Sequence, residues 1–222
     1  MKIYVVYLHG IQCISSVFLC QVLYCGRMPY PAKTNAQTIL TAAIDYLEQY
    51  GEEALSIREL ASILGLSPRA LYRYYPDRAA LEAAIAEEGF NYLRETLISA
   101  VGMHVGKDAL RVGAFAYLAF AQAHPSWYAL LMRCHQHTPG LLQAGHNMWI
   151  FVVELIESVV GQERAASAAV ALWAFLHGFI QLESADILDE HKPQSGFQVG
   201  LEALLSGLAS SSSNTSPPPN YF

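Results

Sequence analysis

Residues 67–74, Ser-Pro-Arg-Ala-Leu-Tyr-Arg-Tyr, gather the side chains of this chain best suited to chemistry with another molecule. Arg69 and Arg73 carry the forked guanidinium that makes bidentate bonds to a guanine edge. The hydroxyls of Tyr72 and Tyr74 suit phosphate oxygens, contacts that fix register without reading sequence. Such chemistry needs these groups to project from one rigid, narrow element. Ser67 supplies an N-cap, and Pro68 fits the first helical position, where no N–H is required. Leu71 is then the inward anchor of a helix about two turns long. Upstream, Ser56 and Glu59 have capping-box spacing, and Ile57, Leu60, Ala61 and Leu64 fall on one buried stripe. Gly65 can take the left-handed conformation that ends a helix, with Leu66 packing the turn. Pro76 stops the second helix, Asp77 caps the next, and Arg78 stands at that helix's start. The pattern predicts a helix-turn-helix whose second helix enters a DNA major groove. An ordinary helical hairpin inside an all-α core is the alternative reading of the same residues.

The run Leu71-Tyr-Arg-Tyr-Tyr-Pro-Asp-Arg-Ala-Ala-Leu81 resembles the L-Y-x-Y-F-x-x-K-x-x-L signature of tetracycline-repressor (TetR) regulators. The resemblance covers about residues 35–95, from a first helix at 34–50 closed by Gly51. It implies base-edge contacts from Arg58, Pro68, Arg69, Tyr72 and Arg73. It implies phosphate contacts from Ser56, the backbone of Ala70, Tyr74 and Arg78, with Ser67 completing the DNA-facing set as the cap. Tyr75 stands where the family more often has Phe, and Arg78 where it has Lys, which keeps the charge. A looser likeness, through Trp173, His177-Gly178 and the His124-Pro125 and Trp127-Tyr128 pairs, is similar to the subgroup named for a Trp…His-Gly signature. It implies a helical ligand-binding and dimerisation half.

Composition agrees with a helical protein. Charged residues are 14% of the 222-residue chain and apolar residues 53%, where about a quarter charged is usual. That apolar excess asks for extra buried surface, such as a dimer interface or a cavity. The net charge of −6 argues against indiscriminate DNA affinity. Yet residues 67–78 hold three arginines against one aspartate, so the reader itself is locally positive. Residues 3–26 carry no charge and are long enough to span a bilayer. His9, Gly10, Gln12, Ser15, Ser16 and Gln21 dilute that run, and no small-residue cleavage site precedes Met28. The expectation is an N-terminal extension at 1–33 in which Met28 is the start, 1–27 are spurious or dispensable and the residues from Met28 form a short polar arm; a membrane anchor and an extra structural element are the alternatives. Cys13, Cys20 and Cys25 have no zinc-ligand spacing, and Cys134 stands alone in the body, consistent with a reducing, cytoplasmic setting.

The rest of the chain reads as helices throughout, about nine in all, three of them building the reader. The expected domains are the helix-turn-helix unit at 34–80, a connector helix to 101, a ligand-binding and dimerisation bundle at 102–209 and a disordered tail at 210–222. Later helices are expected at 108–123, 125–133, 139–160, 163–188 and 197–208, with a loop at 189–196. Phe115, Tyr117, Trp127, Tyr128, Trp149, Trp173 and His177 are the candidate ligand-binding side chains, set against a default reading as core. Gly178 is read as the site of a close backbone approach. The histidines show no metal-ligand spacing, His135 and His137 pointing apart on any helix, and no metal or cofactor is expected. No nucleophile elbow, phosphate loop or dinucleotide fingerprint asks for an enzyme. The expected protein is a one-component regulator, a repressor by family habit. It pairs as a homodimer through 163–188 and 197–208, binds a near-palindromic operator on double-stranded DNA, and responds to a small, largely apolar effector. The rivals are a membrane-tethered regulator and a ligand-binding dimer that no longer reads DNA.

Overall fold

In the computed structural model, which describes residues 34–134, 136–188 and 193–210, every regular element is a helix. The order among the described residues is α1 (Ala36–Tyr50), α2 (Ile57–Ile63), α3 (Pro68–Tyr72), α4 (Arg78–Val101), α5 (Gly106–Ala123), α6 (Pro125–Arg133), α7 (Pro139–Val160), α8 (Gln162–Ser184) and α9 (Pro193–Ser210). The expectations for the N-terminal extension, for Met28, for His135 and for the tail beyond Ser210 fall outside the described residues.

Side-chain caps set most helix starts. Asn35, Ser56, Ser67, Asp77 and Thr138 each accept a backbone N–H three residues on. Proline at the first position opens α3, α6 and α7. Two corrections fall near the C-terminus, and proline at the first position accounts for the first of them. α9 starts at Pro193 rather than 197. α8 ends at Ser184 instead of 188, because Asp186 takes φ +55 and Ile187 N–H returns to Leu182 O, closing the helix from behind. α1 also begins two residues late, at Ala36 behind its Asn35 cap, and α5 two residues early, at Gly106.

From Asn35 onward the helices form one compact unit. A single cluster of buried apolar side chains runs from Ile39 in α1 to Leu205 in α9. α4 is its axis, packed by α5, α6 and α7. Its Gly89 is buried where α6 comes closest: a Cβ there would collide with Leu131 and lie 2.6 Å from Trp127 Nε1. The space left by glycine lets the Trp127 indole donate to Ile85 O at 2.9 Å and stack on Tyr92.

α6 is also gripped from α1. Its cap residue, His124, makes no side-chain cap bond. Glu48 of α1 accepts the Trp127 N–H instead, at 3.0 Å, with its other oxygen 3.9 Å from His124 Nδ1. At the far end of α6, Arg133 pairs with Glu52, beyond the end of α1. Burial pushes the Glu48 carboxyl above its ordinary range, opposed by the Trp127 N–H and by His124. α8 is long and apolar enough to cross a membrane by length and composition alone. In this structure it packs on α5, α7 and α9.

Two outcomes test these contacts. Gly89→Ala should lower stability by about 1–3 kcal/mol, the usual scale of overpacking, visible as a lower melting temperature. An unchanged melt would mean that α6 does not rest on α4 as described. Glu48→Gln keeps an acceptor for Trp127 N–H, whereas Glu48→Ala removes it and should cost about 1 kcal/mol. The folded carboxyl holds its proton more tightly than the unfolded one, so folding takes up protons just above the ordinary glutamate value of about 4.3. Denaturant titrations should therefore show the wild-type stability, relative to Glu48→Gln, falling as pH rises through that window. A difference that grew with pH would contradict the burial argument.

Candidate nucleic-acid interface and ligand cavity

α2 and α3 meet at a turn built by three local features. Gly65 takes φ +65, a conformation that costs other residues strain. Leu66 N–H closes back on Ala61 O at 2.8 Å. Leu71 is the one fully buried residue of α3 and pins it to the core beneath. Ser67 Oγ accepts Ala70 N–H at 3.3 Å, and Ser56 Oγ accepts Glu59 N–H at 3.1 Å.

With Leu71 inward, the rest of the segment faces out. Arg58, Ser67, Pro68, Arg69, Tyr72, Arg73 and Tyr74 are all exposed, while Ser56 and Ala70 are half-buried. Tyr72 and Tyr74 expose 45% and 42% of their surface, large for aromatic side chains held in place at both ends of their segment. Seven of the residues expected to touch DNA are therefore open to solvent. Arg78 also makes bonds within the protein: its Nε donates to Glu82 at 2.5 Å and its Nη2 to Glu52 O at 3.0 Å. These bonds hold the start of α4 to the loop after α1, and the Arg78 side chain stays 45% exposed.

The sequence reading missed the role of Tyr75. It is buried, and its hydroxyl donates to Ala36 O at 3.1 Å, tying the end of the recognition segment to the start of α1. Burial raises that phenol above its ordinary value, with the Glu87 charge adding to the effect. The signal in sequence was only Tyr in a position where the family more often has Phe.

A second feature lies between α4, α5, α7 and α8: a cavity of about 280 Å³ with almost wholly apolar walls. Of the seven side chains expected there, Tyr117, Trp149 and Trp173 line it. The other four do not. Phe115 is partly exposed and packs edge-on against Phe197 of α9, at 5.3 Å between ring centroids. Trp127 is held under α4. Tyr128 and His177 stand behind Tyr117: Trp173 Nε1 donates to the Tyr117 hydroxyl at 3.3 Å, the two phenols meet at 3.2 Å, and Tyr128 bonds His177 Nδ1 at 2.8 Å. Desolvation raises the pKa of both tyrosines, so the pair is neutral phenol at any ordinary pH. His177 therefore bonds a phenol that stays neutral. Gly178 admits no close neighbour, since a Cβ there would meet nothing within 4 Å, against the expectation for it.

Sequence reasoning also missed the wall contributed by α4. Phe90, Leu93 and Leu97 line the cavity, on the same helix that begins directly after the recognition segment. Met148 and Val152 of α7 face them. Among the described residues no group of three His, Cys, Asp or Glu side chains is arranged to hold a metal ion. On the outer side of α8 and α9, Val170, Leu182 and Val199 are exposed, with Trp173 48% exposed at the cavity's edge.

Residues 39–85 match the family described as bacterial regulatory proteins, tetR family. Residues 110–205 match the tetracyclin repressor-like C-terminal domain, a description that names no subgroup. An uncharacterized HTH-type transcriptional regulator of Mycobacterium tuberculosis is 28% identical over 182 residues, covering 80% of this chain and 83% of that one. A solved structure of a protein with unknown function from Rhodococcus sp. RHA1 superposes with a TM-score of 0.72 at 28% identity, over 82% of this chain and all of that one. A variant of TetR from Acinetobacter baumannii AYE, solved in complex with minocycline, shares the fold at 19% identity with a TM-score of 0.64, over 82% of this chain and all of that one. The cap-and-turn grammar, the exposed recognition surface and both family matches agree: the chain belongs to the TetR family of DNA-binding, helix-turn-helix transcriptional regulators.

Proposed function

We propose that this regulator is a repressor whose hold on its operator is released by a small, largely apolar effector in the α4–α5–α7–α8 cavity. The observation that carries this reading is the shared use of α4. Its first turns follow the recognition segment directly, and Phe90, Leu93 and Leu97 further along it form a wall of the cavity. A molecule that fits better when that wall stands back shifts the population towards conformers with the readers displaced. Coupling between two such sites is typically about 1–3 kcal/mol.

On DNA, Arg69 and Arg73 read base edges, with Arg58, Pro68 and Tyr72 beside them. Tyr74, Ser56, Ser67, Arg78 and the Ala70 backbone hold phosphates. Two copies pair through α8 and α9, whose outer apolar residues Val170, Leu182 and Val199 support that assignment. The symmetry of such a pair calls for a near-palindromic operator with half-sites about one helical turn apart or a little more. The working divisions are the reader at 34–80, the connector to 101 and the effector and pairing half at 102–209. The protein carries no catalytic role and acts in the cytoplasm. The minocycline-bound Acinetobacter relative supports the effector half of the reading, as one member of this fold that holds a small molecule.

Footprinting on the DNA flanking its own gene tests the proposal. The wild-type chain should protect a near-palindromic segment. Arg69→Ala should weaken binding by about 1–3 kcal/mol and relax the preference at one position of each half-site. Tyr74→Ala should weaken all sequences alike. Binding that survived both substitutions unchanged would remove this surface as the interface.

A further inference from the structure

Glycine inside a helix costs stability relative to alanine, so it persists where something needs the missing Cβ. Two helix-interior glycines of this chain have that need within the protein. A Cβ at Gly89 would collide with Leu131, and one at Gly200 would lie 2.6 Å from the Phe175 ring. Gly145, inside α7, has no such need. A Cβ there would meet no described atom within 4 Å. Its φ is not positive, so the backbone does not call for glycine either.

The open space in front of it belongs to the cavity. Gly145, Met148, Trp149 and Val152 all line it. Their spacing of i, i+3, i+4 and i+7 puts them on one face of α7. The wall holds a second glycine, Gly113 of α5, which faces protein instead. A Cβ at Gly113 would rest 3.6 Å from Val101 and 3.9 Å from Leu155, in ordinary contact. Of the two, only Gly145 presents bare backbone to the void.

The walls also define what chemistry the void accepts. No charged residue lines it, and the Trp173 indole and Tyr117 hydroxyl are bonded to each other. An ionised group would lose its hydration there without a partner. Five lining side chains are aromatic, Phe90, Tyr117, Trp149, Phe151 and Trp173, and such walls suit the faces and edges of another ring.

We propose that Gly145 is the specificity-determining residue of this cavity, leaving room for a ring of an uncharged aromatic effector to lie against the α7 backbone. The assignment rests on the reading of the cavity as the effector site. It adds where on α7 the ligand sits and which molecules are refused: ionised ones, and, once a side chain stands at 145, those that need that space.

The test is fluorescence titration of the full chain with N-phenyl-1-naphthylamine, an uncharged aromatic probe whose emission rises in apolar surroundings. Gly145→Leu should weaken its binding by at least about tenfold, the scale of one excess methylene in an apolar pocket. Gly145→Ala should weaken it less, yet raise the melting temperature of the ligand-free chain by about 2–4 °C, since alanine is the better helix former and displaces no neighbour. Gly113→Ala, the same change on the wall that faces protein, should leave affinity within about twofold of wild type. 1-Anilinonaphthalene-8-sulfonate, which adds a sulfonate to the same rings, should bind the wild-type chain at least about tenfold more weakly than the neutral probe. Affinity that survives Gly145→Leu, an equal loss in Gly113→Ala, or a lower melting temperature in Gly145→Ala overturns the role of Gly145 and leaves the cavity reading standing. Sulfonate binding as tight as that of the neutral probe overturns the uncharged class. A wild-type chain that does not bind the neutral probe overturns the cavity reading as well.

Discussion

One helix has to satisfy two cores at once, and the rest of the molecule is arranged around that constraint. α4 runs for 24 residues, about 36 Å at an α-helical rise. At its N-terminal end Leu81 and Ile85 are buried with the residues that support the reader. Further along, Phe90, Leu93 and Leu97 turn to the cavity. The close approach at Gly89 falls between these two stretches, where α6 lays Trp127 and Leu131 against the helix. Anything that shifts α4 on one side of that contact must be absorbed on the other, because packed interiors respond as units rather than by gradual give.

The clasp on α6 gives this a second route. Glu48 caps α6 from α1, and Glu52 holds its other end through Arg133. Met132 of the same helix lines the cavity. Thus α6 touches the cavity through Met132, α4 through Trp127 and Leu131, α1 through Glu48 and the loop after α1 through Glu52. The buried Trp127 and Glu48 bonds orient α6, while the exposed Arg133–Glu52 pair adds little in high dielectric.

Much of the fold was legible because helix ends announce themselves chemically. Ser56, Ser67, Asp77, Thr138 and Gly65 did locally what their types demand. The misses came where a non-local or less common closure took over. Asp186 entered the left-handed region and ended α8 before its apolar pattern ran out. Pro193 opened a helix where it had been read as part of a loop. In the recognition segment, inward Leu71 and outward Arg69, Tyr72 and Arg73 followed from period alone. The cavity was much less legible. Aromatic residues mark a helix as apolar without saying which side meets empty space, so Trp127, Tyr128 and Phe115 were placed in a wall they only support. The α4 wall was hidden for the opposite reason: a helix that serves two cores has apolar residues on several faces, and periodicity cannot divide them.

The coupling attributed to α4 can be observed without knowing any effector. Amide hydrogen exchange along α4, measured for the free chain and for the chain bound to its own operator, reports local opening on both sides of the Gly89 contact. Protection should change in the turns that carry Phe90, Leu93 and Leu97, far from any base pair, as well as in the reader. Changes confined to residues 56–78, with the cavity wall exchanging as in the free protein, would contradict the shared-helix mechanism.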